Sequence, residues 1–244
     1  MSELDTAAAA VLHAAGRYAV ITGPHWPGVE AVVEAGALHV VAPGPSTRLT
    51  VATGVGLGGR RCVTVLDEYP AGVVPTANAV ALTASVACAG DALRAGWTVV
   101  QPWAAEDVAS LLDAAPRPAL LLVRPEPPSP LRDPPDARRS RLWLDGDAVT
   151  LVGSGAAVGP MVHLAERLRS RGIDVAAVEI AILSDPRQAP LVGGTTLLVA
   201  GRRTSALFRA ESWPDHPVTA LPLGGVEEAD LIGTVLSLVS ARAE

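Results

Sequence analysis

Short, continuous apolar runs alternate with helix-like segments along most of the chain, and this alternation limits the fold more than any other feature. The runs YAVITG (18–23), RCVTVLD (61–67) and PALLLVRP (118–125) carry apolar residues at successive positions rather than at every second one. Such runs are typical of strands that are buried on both faces, as in parallel sheets covered by helices. The sequence therefore predicts an α/β protein with mostly parallel sheets.

A proline-rich, charged stretch interrupts this alternation once, over RPEPPSPLRDPPDARRSR (124–141). Proline fixes φ and disfavours helix in the residue before it, so we expect an extended linker here. The alternation of strands and helices resumes after it. We predict two tandem three-layer α/β domains, over 1–125 and 144–244, joined by a linker over 126–143.

In the first domain, segments rich in small and apolar residues separate the strand-like runs and predict helices. The glycines of GVGLGG (54–59) are expected at a helix end, because no Lys-Ser or Lys-Thr pair follows them as in a phosphate-binding loop. The predicted helices of this domain cover 6–16, 29–36, 47–59, 76–90 and 105–115.

In the second domain, the segment PMVHLAERLRSRG (160–172) is the clearest helix. Met161, Leu164 and Leu168 recur at spacings of three and four, which places them on one helix face. Further helices are predicted over 204–213 and 226–243. The predicted strands of this domain cover 148–155, 173–183, 195–201 and 217–224.

Composition excludes several classes of function. The net charge is −6, and the 19 basic residues are all arginines dispersed along the chain, which argues against general nucleic-acid binding. The two cysteines, Cys62 and Cys88, are too few for a disulfide framework or a zinc site made of Cys pairs. The apolar run near the N-terminus is too short to cross a membrane and has no basic segment before it, so we expect a soluble cytoplasmic protein.

A glycine-rich turn in the second domain allows two interpretations. In LVGSGAAVGP, Gly153 and Gly155 follow a strand and open a helix, and Glu179 lies near the end of the next strand. A dinucleotide site would use these glycines for the pyrophosphate and the acid for the ribose. The third glycine comes one residue late, however, so a simple tight turn between strand and helix is favoured.

Two loops in the first domain follow strand ends, where parallel sheets form their sites. His25 comes directly after the first strand, and a histidine there can move protons near neutral pH. Asp67, Glu68 and Tyr69 end the third strand. These three residues fit either a site or a solvated turn.

The order of these strands, turns and helices resembles that of a known protein family. A strand, a tight turn and a small-residue helix over 40–59, followed by VVQPWAAEDVASLLDAAPRPALLLVRPE (99–126), resemble the pyrimidine-binding domain of transketolase-like thiamine diphosphate enzymes. The segment 147–186 resembles the transketolase C-terminal domain, with its Gly-Ser-Gly turn, amphipathic helix and acid-Pro pair. The resemblance covers 16–199, and it lies in order and spacing rather than in one specific motif.

This resemblance implies a cofactor shared between two chains. In the family, one domain holds thiamine diphosphate through Mg²⁺ with a Gly-Asp-Gly motif and a later Asn, but here the only asparagine is Asn78. The chain is thus similar to the C-terminal half of a split transketolase, or to the β-chain of a 2-oxoacid dehydrogenase E1. Its partner would be a diphosphate-binding subunit of the transketolase N-terminal type, in a heterodimer or heterotetramer that transfers a two-carbon ketol or acyl unit.

The sequence departs from the family where the chemistry is expected. The family's glutamate, which hydrogen-bonds the aminopyrimidine ring, should fall near Pro45 or Ser46, where no acid occurs. The candidate catalytic residues are His25, from its place after the first strand, and Ser46, by resemblance. By resemblance, the candidate cofactor-binding residues are Tyr69, Ser46 and Thr47; no metal ligand is assigned. The missing acid favours the alternative of a catalytically degenerate structural or regulatory subunit.

Overall fold

A computed structural model describes residues 11, 17–76, 78–102, 108–123, 140–183, 195–201, 218–223 and 228–240. The chain divides into two compact units, Met1–Pro127 and Pro128–Glu244. The predicted helices over 6–16 (apart from Val11) and 204–213 lie outside the described residues.

The described residues of the first unit form a six-stranded sheet in which all the pairings are parallel. Its strands lie in the order β2-β1-β3-β4-β6-β5. Every residue of β1, β4 and β6 is buried, as expected for continuous apolar runs in a parallel sheet. The strands are β1 (Ala19–Thr22), β2 (His39–Val41), β3 (Cys62–Val65), β4 (Val80–Thr83), β5 (Thr98–Val100) and β6 (Ala119–Leu122).

The helix α2 (Pro45–Leu57) begins and ends at local sequence signals. In α2, Pro45 takes the first helical position after the extended Gly44, where its missing N–H costs nothing. The same helix ends before Gly58 and Gly59, and Gly59 has a φ of 79°. The helices are α1 (Val29–Glu34), α2 (Pro45–Leu57), α3 (Val86–Arg94) and α4 (Val108–Ala114).

The predicted helix over 76–90 is wrong. Residues Val80–Thr83 form β4, which pairs with β3 on one side and β6 on the other. The helix α3 starts only after Ser85, whose hydroxyl accepts a hydrogen bond from the amide of Cys88. A run of four residues is too short for periodicity to separate a buried strand from a buried helix turn, and pairing with two neighbours decided the outcome.

The described residues of the second unit form a five-stranded sheet in the order β11-β10-β8-β9-β7. All its pairings are parallel except that of β7 with β9. The α/β class with mostly parallel sheets is thereby confirmed for both units. The elements are β7 (Arg141–Leu144), β8 (Val149–Gly153), α5 (Val158–Arg169), β9 (Val175–Glu179), β10 (Thr195–Gly201), β11 (Val218–Leu223) and α6 (Glu228–Ser240).

In this unit, the predicted buried face of one helix is confirmed, whereas the predicted end of the linker is wrong. Met161, Leu164 and Leu168 are buried on α5, as their spacing predicts. The predicted linker over 126–143 extends too far, because residues 141–143 belong to β7, which pairs antiparallel with β9. This edge strand begins with the charged Arg141, so no continuous apolar run predicts it from the sequence. Residues 124–139 lie outside the described part.

Candidate functional site

The strand order of the first unit creates a crevice at one edge of its sheet. The connection after β1 leads to β2 on one side, whereas the connection after β3 leads to β4 on the other. The two connections therefore diverge at the carboxyl ends of β1 and β3, which is where open α/β sheets bind ligands. The first turn of α2 arrives at the same edge from the neighbouring strand β2.

Arg48 is the side chain of α2 that enters this crevice. It is only 3% exposed. Its Nη1 donates to the carbonyl oxygen of Val65 at 2.6 Å, and its Nη2 lies 3.0 Å from Oδ2 of Asp67. A Cβ atom at Gly23, just after β1, would lie 3.6 Å from Nη1, so the guanidinium reaches both strand ends. Arg48 thus ties the start of α2 to the end of β3.

The second contact of Arg48 holds a carboxylate that faces solvent. The two terminal nitrogens of its guanidinium approach Asp67, with Nη1 at 3.4 Å from Oδ1 and Nη2 at 3.0 Å from Oδ2. The side chain of Asp67 is 72% exposed. A bidentate contact of this kind fixes both the position and the orientation of the carboxylate.

Tyr69 is half-buried, and its hydroxyl is fully engaged within the unit. It donates to the carbonyl oxygen of Val73 at 2.7 Å and accepts from Nε1 of Trp97 at 3.0 Å. The two rings meet edge to face, with centroids 6.3 Å apart. Burial raises the pKa of Tyr69. The hydroxyl is therefore committed to packing, and what the residue offers a ligand is its ring.

The other predicted site residues lie on the surface around the crevice. Ser46 and Thr47 are exposed on the first turn of α2, and His25 is exposed on the loop after β1. That first turn contains no acidic residue. Sequence reasoning missed Arg48, although one signal pointed to it: Arg48 is the single charged residue in the 13 residues of α2.

Two further titratable groups of this unit are half-buried His39 and buried Cys88. Oγ1 of Thr22 lies 2.8 Å from Nε2 of His39, and burial lowers the pKa of His39. Burial raises the pKa of the Cys88 thiol to about 11, so this thiol stays protonated and unreactive at neutral pH. Neither group is placed to act on a ligand.

In the second unit, the geometry favours the tight-turn interpretation of the glycine-rich segment. Gly155 has a φ of 54° and opens a single 3₁₀ turn before α5. Glu179 is 3% exposed, and its carboxylate accepts a hydrogen bond from Nε1 of Trp143 at 3.0 Å. This acid joins β9 to β7 and does not face an open nucleotide site.

Within the described ranges, no three His, Cys, Asp or Glu side chains cluster in a way that suits a metal ion. The helices described here also include none with the length and apolar character needed to span a membrane.

Comparison with solved structures identifies proteins of the same fold. A split-gene transketolase, solved as an inactive β4 tetramer, superposes with a TM-score of 0.68 and 15% identity over 98% of this chain and 98% of its own. A 2-oxoglutarate:ferredoxin oxidoreductase from Magnetococcus marinus, with 2-oxoglutarate, coenzyme A and succinyl-CoA bound, has a TM-score of 0.59 and 12% identity. The match covers 98% of this chain but 65% of that one.

No protein-family profile matches the sequence, and no curated protein matches it. At 12–15% identity the likeness to the two solved structures concerns the fold. In fold, the predicted resemblance to a transketolase-like subunit is confirmed.

Proposed function

We propose that this chain, which shares its fold with a split-gene transketolase, is one subunit of a split thiamine diphosphate-dependent enzyme of the transketolase type. The observation that carries the proposal is the extent of the match, which covers 98% of both chains. A partner chain would supply the domain that binds the diphosphate and Mg²⁺, because this sequence has no Gly-Asp-Gly motif. Together they would transfer a two-carbon ketol or acyl unit.

The residues at the crevice fit the binding of an aromatic heterocycle. The ring of Tyr69 has a fixed orientation, since both hydrogen bonds of its hydroxyl are made within the unit. Asp67 adds a carboxylate acceptor at the same edge, and the hydroxyls of Ser46 and Thr47 lie at the rim. When bound, thiamine diphosphate supplies the electron sink for cleavage beside a carbonyl. This chain's part is to bind and orient the ring.

A second candidate function is favoured by one specific observation. The buried side chain at the start of α2 is Arg48, and a guanidinium keeps its proton in proteins, so it cannot act as an acid or base. A chain with no proton-exchanging group on α2 fits a structural or regulatory subunit, which would order the partner's active site without taking part in the reaction.

Mild affinity purification from the native host separates the two candidates. The enzyme-subunit proposal expects a co-eluting chain with Gly-Asp-Gly and a later Asn, bound thiamine diphosphate and two-carbon transfer that requires both chains. A complex that assembles and binds cofactor, but whose turnover is unchanged by Ser46→Ala and by His25→Ala, supports the structural subunit, because this chain's side chains then take no part in the reaction. A protein that elutes alone and free of cofactor overturns both.

A further inference from the structure

The Arg48–Asp67 pair combines a buried cation with an exposed anion. Arg48 is 3% exposed at the side chain, whereas Asp67 is 72% exposed. Nε of Arg48 is buried and has no hydrogen-bond partner among the described residues. Burial of a guanidinium with an unpaired N–H is costly, and an ion pair whose anion faces water returns little of that cost.

Stability alone therefore does not account for this pair. The bond from Nη1 of Arg48 to the carbonyl of Val65 already joins α2 to β3 without any help from Asp67. The two contacts with Asp67 additionally fix the orientation of its carboxylate, because the planar guanidinium holds both oxygens in one plane. The arrangement keeps an accessible carboxylate in a fixed orientation at the β1–β3 crevice.

The neighbouring acid provides a comparison within the same loop. Glu68 is also exposed, but it makes no ion pair with any described residue. Two residues after Asp67, the ring of Tyr69 is fixed by Trp97. Of the two acids that follow β3, only Asp67 is held in place by a described ion pair, two residues before an oriented aromatic ring.

We propose that Asp67, positioned by Arg48, is the carboxylate of this chain that binds the amino-substituted ring of the cofactor. Its oxygen accepts a hydrogen bond from the ring's amino group; the first turn of α2 offers only the neutral hydroxyls of Ser46 and Thr47 as acceptors, because it carries no acid. Arg48 is the positioning residue, and Asp67 touches the ligand. This inference rests on the proposed function.

The test is a calorimetric titration of thiamine diphosphate, with Mg²⁺ present, into the complex of this chain and its partner. We expect Asp67→Asn to weaken binding about tenfold or more, as for the loss of a charged hydrogen-bond acceptor. Glu68→Gln is the matched control and should bind within about twofold of wild type. Arg48→Lys keeps the charge but loses the fork, so it should weaken binding while leaving Asp67 in the chain.

Each outcome bears on a different statement. Equal affinity of wild type and Asp67→Asn overturns the role of Asp67 and leaves the proposed function intact. Equal weakening by Asp67→Asn and Glu68→Gln also overturns it, because the effect would then follow total charge rather than position. A wild-type complex that binds no thiamine diphosphate overturns the proposed function and this inference together. Thermal melts of all variants show whether a loss of affinity reflects a loss of folding.

Discussion

At the scale of single residues, Tyr69 has two roles that substitutions can separate. Its hydroxyl accepts a hydrogen bond from the indole N–H of Trp97 and donates one to the carbonyl of Val73, whereas its ring is the part that we propose contacts the cofactor. The hydroxyl therefore contributes to stability, and the ring is proposed to contribute to cofactor binding.

We predict that Tyr69→Phe lowers the free energy of unfolding by about 1–2 kcal/mol, because it leaves a carbonyl and an N–H without their partner. It should lower thiamine diphosphate affinity much less than Tyr69→Ala does, because the ring remains and keeps its edge contact with Trp97. Tyr69→Ala should lower both quantities. Thermal melts and titration of the assembled complex measure the two effects, and an unchanged affinity in Tyr69→Ala would show that the ring does not stack on the cofactor.

Asp113 forms a second cluster, at the opposite end of β1 and β3. Its carboxylate accepts hydrogen bonds from the hydroxyl of Tyr18 at 2.7 Å, from Arg17 at 2.8 Å and from Arg61 at 2.6 Å. The bond from Tyr18, with the two arginines, holds the pKa of Asp113 below its ordinary value. The cluster ties α4 to the residues that precede β1 and β3.

We predict that Asp113→Asn lowers the free energy of unfolding by about 1–2 kcal/mol at neutral pH, or roughly 2–4 °C in melting temperature per kcal/mol. Because the folded pKa is depressed, this stabilisation is present above the unfolded pKa and is lost as the pH falls through the folded one. The difference between wild type and variant should therefore shrink below about pH 4.

Asp91→Asn is the control for this measurement. Asp91 pairs with Arg94 within α3, and both side chains are exposed. Exposed pairs within one helix contribute little, so melts from pH 3 to pH 7 should show almost no change at any pH. A pH-independent loss in Asp113→Asn would contradict the electrostatic explanation.

At the scale of elements, the missing side chain of Gly146 allows the turn between β7 and β8 to approach the backbone of β9 closely. Gly146 lies in this turn, and a Cβ atom there would lie 2.5 Å from the backbone carbon of Val175 in β9. Backbone atoms of a buried strand cannot move aside as the end of a flexible side chain can. In contrast, a Cβ atom at Gly233 in α6 would meet nothing within 4 Å.

We predict opposite effects for the same substitution at these two glycines. Gly146→Ala should destabilise the protein by about 1–3 kcal/mol or more, because β9 has to shift. Gly233→Ala should stabilise it by about 0.5–1 kcal/mol, because alanine has the higher helix propensity. Chemical denaturation of the two variants measures both, and equal effects of the same sign would contradict the contact at Val175.

The elements also show how far local sequence reasoning reaches. The buried face of α5 follows from the spacing of Met161, Leu164 and Leu168, because helix periodicity is a local property. The strand β4 does not follow in this way, because Val80–Thr83 is stable as a strand only between β3 and β6. Pairing partners far along the chain overrode a segment that also suited a helix.

At the scale of the whole molecule, the chain is two units that each have a sheet and a buried core of their own. In the first unit, β4 lies between β3 and β6, so the later strands complete a sheet that the earlier ones begin. A break between the units should spare both cores, whereas a break between β3 and β4 should remove one of the two partners of β3.

We predict that the fragment 128–244, expressed alone, folds with a cooperative thermal transition followed by circular dichroism. The fragment 1–75, which lacks β4, β5 and β6, should show no such transition, because β3 then keeps only its pairing with β1 and its other edge is exposed. A fragment 128–244 that melts without cooperativity would show that its core requires the first unit.

By itself, the sequence determined the α/β class, most strands and helices, and the likeness to transketolase-like chains, because these depend on periodicity, end signals and the order of parts. The tertiary structure alone decided which side chains meet in the crevice. Arg48 lies on α2 and Asp67 in the loop after β3, and they meet because α2 packs on β1 and β3, which are neighbours in the sheet. Strand order is set by pairing between distant segments, which no local pattern records.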